Sequence, residues 1–209
     1  MDTLIETVRI RGAAAPLWHL HVRRLATSCR ALGVPIPTEL ITPEGGADRV
    51  HRLLVSRRGL VAGERPVGSL APVRLVTSKV VHRAYPHKLV DRERFDRALA
   101  DAKASGADDG LLLTAGGQVA ETAIWGVFWW EDGQVAAPAL EIGVLPGVAR
   151  ARIEELGAIQ ERMVTLDEIR GKSLFVANAV RGVIPVASLD GVAVPESDDT
   201  ATLAARFWP

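Results

Sequence analysis

The chain has 209 residues, enough for one large domain or two small ones with a substantial buried core. Its 25 basic and 25 acidic side chains balance, so charge gives no sign of a nucleic-acid or membrane partner. The single cysteine, Cys29, excludes an internal disulfide and a cysteine-cluster metal site, and no metal is expected. The N-terminus is acidic and strand-like, unlike a signal peptide, and no apolar run approaches the ~20 residues that span a bilayer. A cytoplasmic protein is expected.

Thr3 to Ile10 alternates weakly and is rich in β-branched residues, so it reads as a strand. Arg11-Gly12-Ala13 is expected to turn it into a short return strand at Pro16 to Leu20. From Leu20 to Leu32 the apolar Val22, Leu25, Cys29 and Leu32 follow helical spacing, with Gly33 as the stop and Pro35 preventing continuation. Cys29 reads as a small buried apolar group on that helix. Thr42-Pro43-Glu44 predicts another helix start, with Val50, Leu53 and Leu54 as its apolar face and Gly59 as its end. Arg57-Arg58 would be its solvated terminus. Gly59 to Pro72 reads as a loop, and Val73 to Thr77 as a strand.

Val80 to Pro86 is the natural linker. It divides the chain into a small α/β domain at 1–80, a linker at 81–87 and a larger domain at 88–209. Asp91 to Ser105 is a predicted helix with Phe95, Ala98, Leu99 and Ala102 on one stripe, closed by Gly106. Gly110 to Thr114 reads as a buried strand. Ala115-Gly116-Gly117 then turns into a strand carrying Glu121, and Gly126 to Glu131 continues the sheet. Asp132-Gly133 is a two-residue hairpin signal. A helix is expected from Gly147 to about Leu156, a short capped helix at Thr165 to Glu168, and a terminal helix from Thr200 to Trp208.

Several motifs occur in a fixed order along this frame. They are His21-x-x-Arg24-Leu25, His87-Lys88 ahead of a helix, Glu121 followed by Val127-Phe128-Trp129-Trp130, Leu145-Pro146-Gly147-Val148-Ala149-Arg150, and Asn178-Ala179. Together they resemble the fold-type-IV pyridoxal-phosphate enzymes, the class IV aminotransferases. The resemblance begins near Leu4, covers most of the chain, and is nearest the aminodeoxychorismate lyases through Asn178-Ala179 and the Lys88-x-x-x-Arg92 spacing. It implies a mixed α/β, two-domain fold like that of D-amino-acid aminotransferase, shortened at the N-terminus by a hairpin and a loop.

The resemblance also implies roles. Pyridoxal 5'-phosphate would be the cofactor and a small amino compound the substrate. Lys88 would hold the cofactor's aldehyde and then move a proton at the substrate. Glu121 would face the pyridine nitrogen. Gly147, Val148 and Ala149 would bind the phosphate through free N–H groups, with Arg24, Asn178 and Ala179 contributing. A homodimer is implied, and the aromatic cluster at Trp125, Phe128, Trp129 and Trp130 is compatible with an uncovered face, although the chain itself could cover both.

Taken singly, each residue has a plainer reading: Lys88 a solvated charge, Arg24 an exposed helix arginine, Glu121 an exposed strand residue, Gly147 a turn glycine. Two positions depart from the family pattern. Gly126 stands where asparagine is common, and Ala149 stands where threonine would add a hydroxyl to the phosphate. A class IV aminotransferase of the branched-chain or D-amino-acid type and a catalytically impaired homologue that still binds the cofactor are therefore carried as alternatives to the lyase.

Overall fold

The computed structural model describes residues 2–12, 14–38 and 46–209. β1 (Leu4–Ile10), β2 (Arg49–Ser56) and β3 (Gly59–Arg65) form an antiparallel three-stranded sheet. The second sheet is nine-stranded and mixed. It contains β4 (Val73–Thr77), β5 (Asp109–Leu113), β6 (Val119–Thr122), β7 (Gly126–Glu131), β8 (Gln134–Pro138) and β9 (Ile159–Arg162). β10 (Leu174–Asn178), β11 (Gly182–Leu189) and β12 (Val192–Ala193) complete it. Its order is β6-β5-β4-β11-β10-β7-β8-β9, with β12 paired to β11. The helices are α1 (Trp18–Leu32), α2 (Glu93–Ala104), α3 (Val148–Leu156), α4 (Leu166–Ile169) and α5 (Asp198–Arg206). This is the mixed α/β architecture the sequence implies.

Strand alternation decides where the core sits. Along β7, Val127 and Trp129 turn to one side and meet Leu111, Val176 and Ile184. Phe128 turns to the other, stacking on Phe175 with ring centroids 5.2 Å apart, among Leu20, Ile153 and Phe207. Each fully buried side chain of this kind contributes ~1.5–3 kcal/mol. Trp130 donates its indole N–H to Thr200 on α5 at 2.8 Å. The chain therefore covers both faces of the aromatic cluster by itself, and that cluster gives no support for a partner subunit.

Local signals explain most of the remaining elements. Gly33 closes α1 in the left-handed region at φ 61°, and Cys29 is fully buried on that helix. α2 buries Phe95, Ala98 and Ala102 and carries Glu93 and Asp96 in its first turn, where the helix dipole favours acids. Asp132 and Gly133 both take positive φ, as a tight hairpin between β7 and β8 requires. Thr165 and Glu168 close a reciprocal capping box on α4.

Three expectations fail in the first third of the chain. Pro16 to Leu20 is not a return strand: Arg11 bridges Ala14, and α1 begins at Trp18. The helix start at Thr42-Pro43-Glu44 lies outside the described residues. The segment assigned as its apolar face, Val50 to Leu54, is β2, paired residue for residue with β1 from Leu4↔Val55 to Ile10↔Arg49. Arg57-Arg58 is accordingly the turn of a β-hairpin, and the first half of the expected loop, Gly59 to Arg65, is β3. Adjacent Leu53 and Leu54 imitate helical spacing, whereas the strand buries Leu53 and leaves Leu54 half-covered.

Candidate active site

Lys88 sits where the two sheets meet. Its carbonyl accepts the Ile5 N–H of β1 at 2.9 Å, and the Val90 N–H donates to Thr3 at 2.9 Å. The loop leading to it is closed from inside. The Tyr85 hydroxyl donates to the Leu89 carbonyl at 2.6 Å and accepts the Leu89 N–H at 2.7 Å. Behind it, the Tyr85 N–H donates to the Gly143 carbonyl at 2.7 Å. Gly143 has φ 85°, and a Cβ there would lie 2.6 Å from that of Ala84. Only glycine permits this approach.

Glu121 lies on β6, buried, at the wall of the same cavity. Its Oε1 has no hydrogen-bond partner. Burial pushes Glu121 up to about 7, against the opposing pull of Lys88, the Leu145 backbone, Arg92 and Arg94. Burial likewise drives Lys88 down to about 7, helped by Arg24 and Arg92 and resisted by Glu6 and Glu121. An amine at this value is substantially free to add to a carbonyl at neutral pH.

The third element is the N-terminus of α3. Gly147 precedes it in extended conformation, no side chain caps it, and the first N–H groups of a helix lack intrahelical partners. Ala149 is buried there. Opposite, Asn178 ends β10, and its Oδ1 accepts the Val180 and Arg181 N–H groups at 3.0 and 2.8 Å. This tight turn holds Ala179 at the cavity wall.

Arg24 also lines the cavity, but its fork is engaged. Nε and Nη2 donate to the two oxygens of Glu6 at 2.9 and 2.5 Å. The His21 Nδ1 lies 2.6 Å from Glu6 Oε2. Burial would raise Glu6, yet the Arg24 charge and the His21 and Arg24 hydrogen bonds overcome it and hold it at about 2. His21 is itself depressed by burial, so it is a packed neutral partner of Glu6.

The structure thus brings Lys88, Glu121, Gly147, Val148, Ala149, Asn178, Ala179 and Arg24 to one cavity of about 450 Å³. Sequence reasoning missed Glu6, the partner of Arg24, because no local pattern marks a strand carboxylate for burial. It also left His82 and Tyr85 in a linker, although both are buried. Gly126 now has a physical account. A Cβ there would lie 3.1 Å from the Phe128 ring, closer than ordinary contact.

The donor set fits pyridoxal phosphate: a low-pKa amine for its aldehyde, a free carboxylate oxygen for its ring nitrogen, and an uncapped helix end for its phosphate. Among the described residues, no cluster of His, Cys, Asp or Glu could hold a metal, and no helix is long and apolar enough to cross a membrane.

The model of the family "Amino-transferase class IV" matches residues 53–189. A probable branched-chain-amino-acid aminotransferase of Thermotoga maritima is 30% identical over 56% of this chain and 46% of its own length. An aminodeoxychorismate lyase of Vibrio harveyi is 22% identical over 94% of this chain and 85% of its own. The 4-amino-4-deoxychorismate lyase structure from Pseudomonas aeruginosa superposes with TM-score 0.85 at 24% identity, covering 98% of this chain and 89% of that one. An aminotransferase from Brucella abortus, bound to pyridoxal phosphate, gives TM-score 0.82 at 20% identity over 99% and 88% of the two chains. With the family model spanning most of the sequence, the chain belongs to the class IV aminotransferase family, the fold-type-IV group of pyridoxal-phosphate-dependent lyases and aminotransferases.

Proposed function

We propose that this chain is an aminodeoxychorismate-lyase-like enzyme that takes 4-amino-4-deoxychorismate, expels pyruvate and leaves 4-aminobenzoate. The observation that carries the reading is the convergence of Lys88, Glu121 and the α3 N-terminus on one cavity, with the Asn178-Ala179 turn completing it. Bound pyridoxal phosphate supplies an aldehyde that takes up amines and a ring that accepts an electron pair. Lys88 would hold that aldehyde through its amine and, when free, would be the base for the proton on the substrate carbon that bears the amino group. Glu121 would hold a proton on the ring nitrogen. The Val148 and Ala149 N–H groups would hold the phosphate. Arg24, its charge paired with Glu6, stands at the cavity wall beside them.

Incubating the loaded protein with 4-amino-4-deoxychorismate tests the reading. Pyruvate and 4-aminobenzoate in equal amounts support it. An aminotransferase is the second reading, favoured by the relative from Thermotoga maritima. It would instead pass the amino group of a donor amino acid to a keto acid. A chain that binds the cofactor but turns over neither kind of substrate would be the impaired homologue. A cytoplasmic homodimer is part of the proposal; β3, exposed along most of its length and reaching the cavity at Arg65, is the open edge such an assembly would cover. Light scattering of the loaded protein decides it, and a fully active monomer would refute it.

A further inference from the structure

The cavity is lined by more arginine than the cofactor reading uses. Arg24 and Arg150 line it, but Glu6 neutralises the first, and Glu154 and Glu161 the second. Arg92 is tied to the Ala123 carbonyl and stacked on Phe95. Arg181 is different. Its guanidinium lies over the Trp125 ring at 4.2 Å, half-buried, and its one protein hydrogen bond is a long contact of 3.4 Å to the Ser69 carbonyl.

Among the described residues no carboxylate pairs with this charge. Asp109 is the acid nearest in effect, but its oxygens are taken by the Thr122 hydroxyl at 2.6 Å and by the N–H groups of Gly110, Ala123 and Ile124. Instead a second cation stands beside Arg181. Arg65 of β3 works against its charge and donates only to its own neighbour, Pro66, at 3.5 Å. Arg52 of β2 joins them on the lining, and its side chain has no hydrogen-bonded or ion-paired partner among the described residues. Arg52 and Arg65 are exposed at the rim and Arg181 is half-buried, and like charges gathered on one wall are unfavourable until an anion arrives. A guanidinium pinned flat on an aromatic ring keeps its in-plane donors free for two-point contact with a carboxylate.

We propose that Arg181, held flat by Trp125 and seconded by Arg65 and Arg52, is a carboxylate subsite that makes the cavity select amino substrates carrying an acidic group remote from the reacting amine over those with an apolar chain. The assignment deepens the proposed function and rests on it. The α3 N-terminus and the Asn178 turn remain with the cofactor.

The test uses protein loaded with pyridoxal phosphate, titrated by calorimetry with glutarate and with 4-methylpentanoate, a monocarboxylate of similar length. Arg181→Met is expected to weaken glutarate about tenfold or more, the loss of one charge-assisted fork, while 4-methylpentanoate changes less than about twofold. Arg181→Lys keeps the charge without the fork and recovers part of the loss; Arg65→Met gives a smaller loss of the same sign. The visible band and cofactor affinity stay at wild-type values in all three. The proposal is overturned if Arg181→Met binds glutarate as wild type does, if both acids weaken alike, or if cofactor affinity falls with Arg181. Should wild type show no visible band, the proposed reaction fails separately, and the same titration of the unloaded chain still decides the subsite. If Arg181→Met does not fold, Arg181→Lys and Arg65→Met carry the decision by the same criterion.

Discussion

His82 Nδ1 stands 3.5 Å from Glu121 Oε1, and neither atom has a hydrogen-bond partner among the described residues. Burial keeps His82 low, with Arg94 pushing the same way and the Gly143 and Ile142 backbone opposing, so at neutral pH the ring is uncharged with one N–H to give. A small closure would aim that N–H at the carboxylate and favour its charged form. His82→Phe is therefore expected to load cofactor normally but to move the acid limb of the activity profile to higher pH. His82→Asn, which keeps a donor, should restore part of it. An unmoved limb in a folded His82→Phe would reduce His82 to packing.

Lys88 gives a test of chemistry and one of stability. Borohydride reduction of the loaded protein should place the phosphopyridoxyl label on Lys88, and a label on any other lysine would sink its role. In the unloaded chain its value falls from 10.5 to about 7 on folding. Between those values the unfolded chain binds a proton that the folded chain does not, so stability drops as pH falls from 10.5 towards 7. Lys88→Met should then melt higher than wild type at pH 7, by ~2–4 °C for each kcal/mol relieved, and equally above pH 10.5.

Glu121 behaves in the opposite sense. Folding raises it from 4.5 to about 7, so its contribution is present below pH 4.5 and lost as pH rises through 7. Unloaded Glu121→Gln should match wild type at pH 4 and exceed it at pH 8. Loaded, it should keep the visible band and lose turnover on the order of a hundredfold, since an amide cannot hold the ring nitrogen protonated. Normal turnover in a normally coloured variant would count against the assignment.

Glu6 should matter to stability as much as to the site. Glu6→Ala leaves Arg24 and His21 facing a buried gap, at a cost of ~3–5 kcal/mol in thermal unfolding. Glu6 is depressed from 4.5 to about 2, so its stabilisation is full above pH 4.5 and fades towards pH 2. The gap between wild type and Glu6→Ala should shrink over that interval. A gap independent of pH would mean that packing, not charge, is lost.

Gly126→Asn should not repair the departure from the family pattern. The incoming side chain meets a Phe128 ring already stacked on Phe175, and overpacking of this kind costs ~1–3 kcal/mol. Chemical denaturation would show it as an earlier midpoint. A more stable variant would mean that the ring has room to yield.

What the sequence makes legible is what local chemistry encodes. Gly33, Asp132-Gly133 and the Thr165–Glu168 capping box announce their elements, and the ordered motifs place Lys88, Glu121 and Gly147 in one frame. The β2–β3 hairpin escapes because its partner strand is β1, some forty residues earlier, and nothing near Leu53-Leu54 distinguishes a half-covered strand from a short helix. Glu6 and His82 escape for a related reason. Each is defined by what folds against it, and a lone carboxylate or imidazole reads as solvated until that neighbour is known.

The backbone bonds between β1 and the Lys88 segment have a mechanical implication. Lys88 is stitched to the edge of the three-stranded sheet, whereas Glu121 belongs to the nine-stranded one. The gap between amine and carboxylate is thereby set by how the two sheets sit against each other. A contact on the outer face of β2 or β3 could detune the enzyme by leverage alone, without entering the cavity.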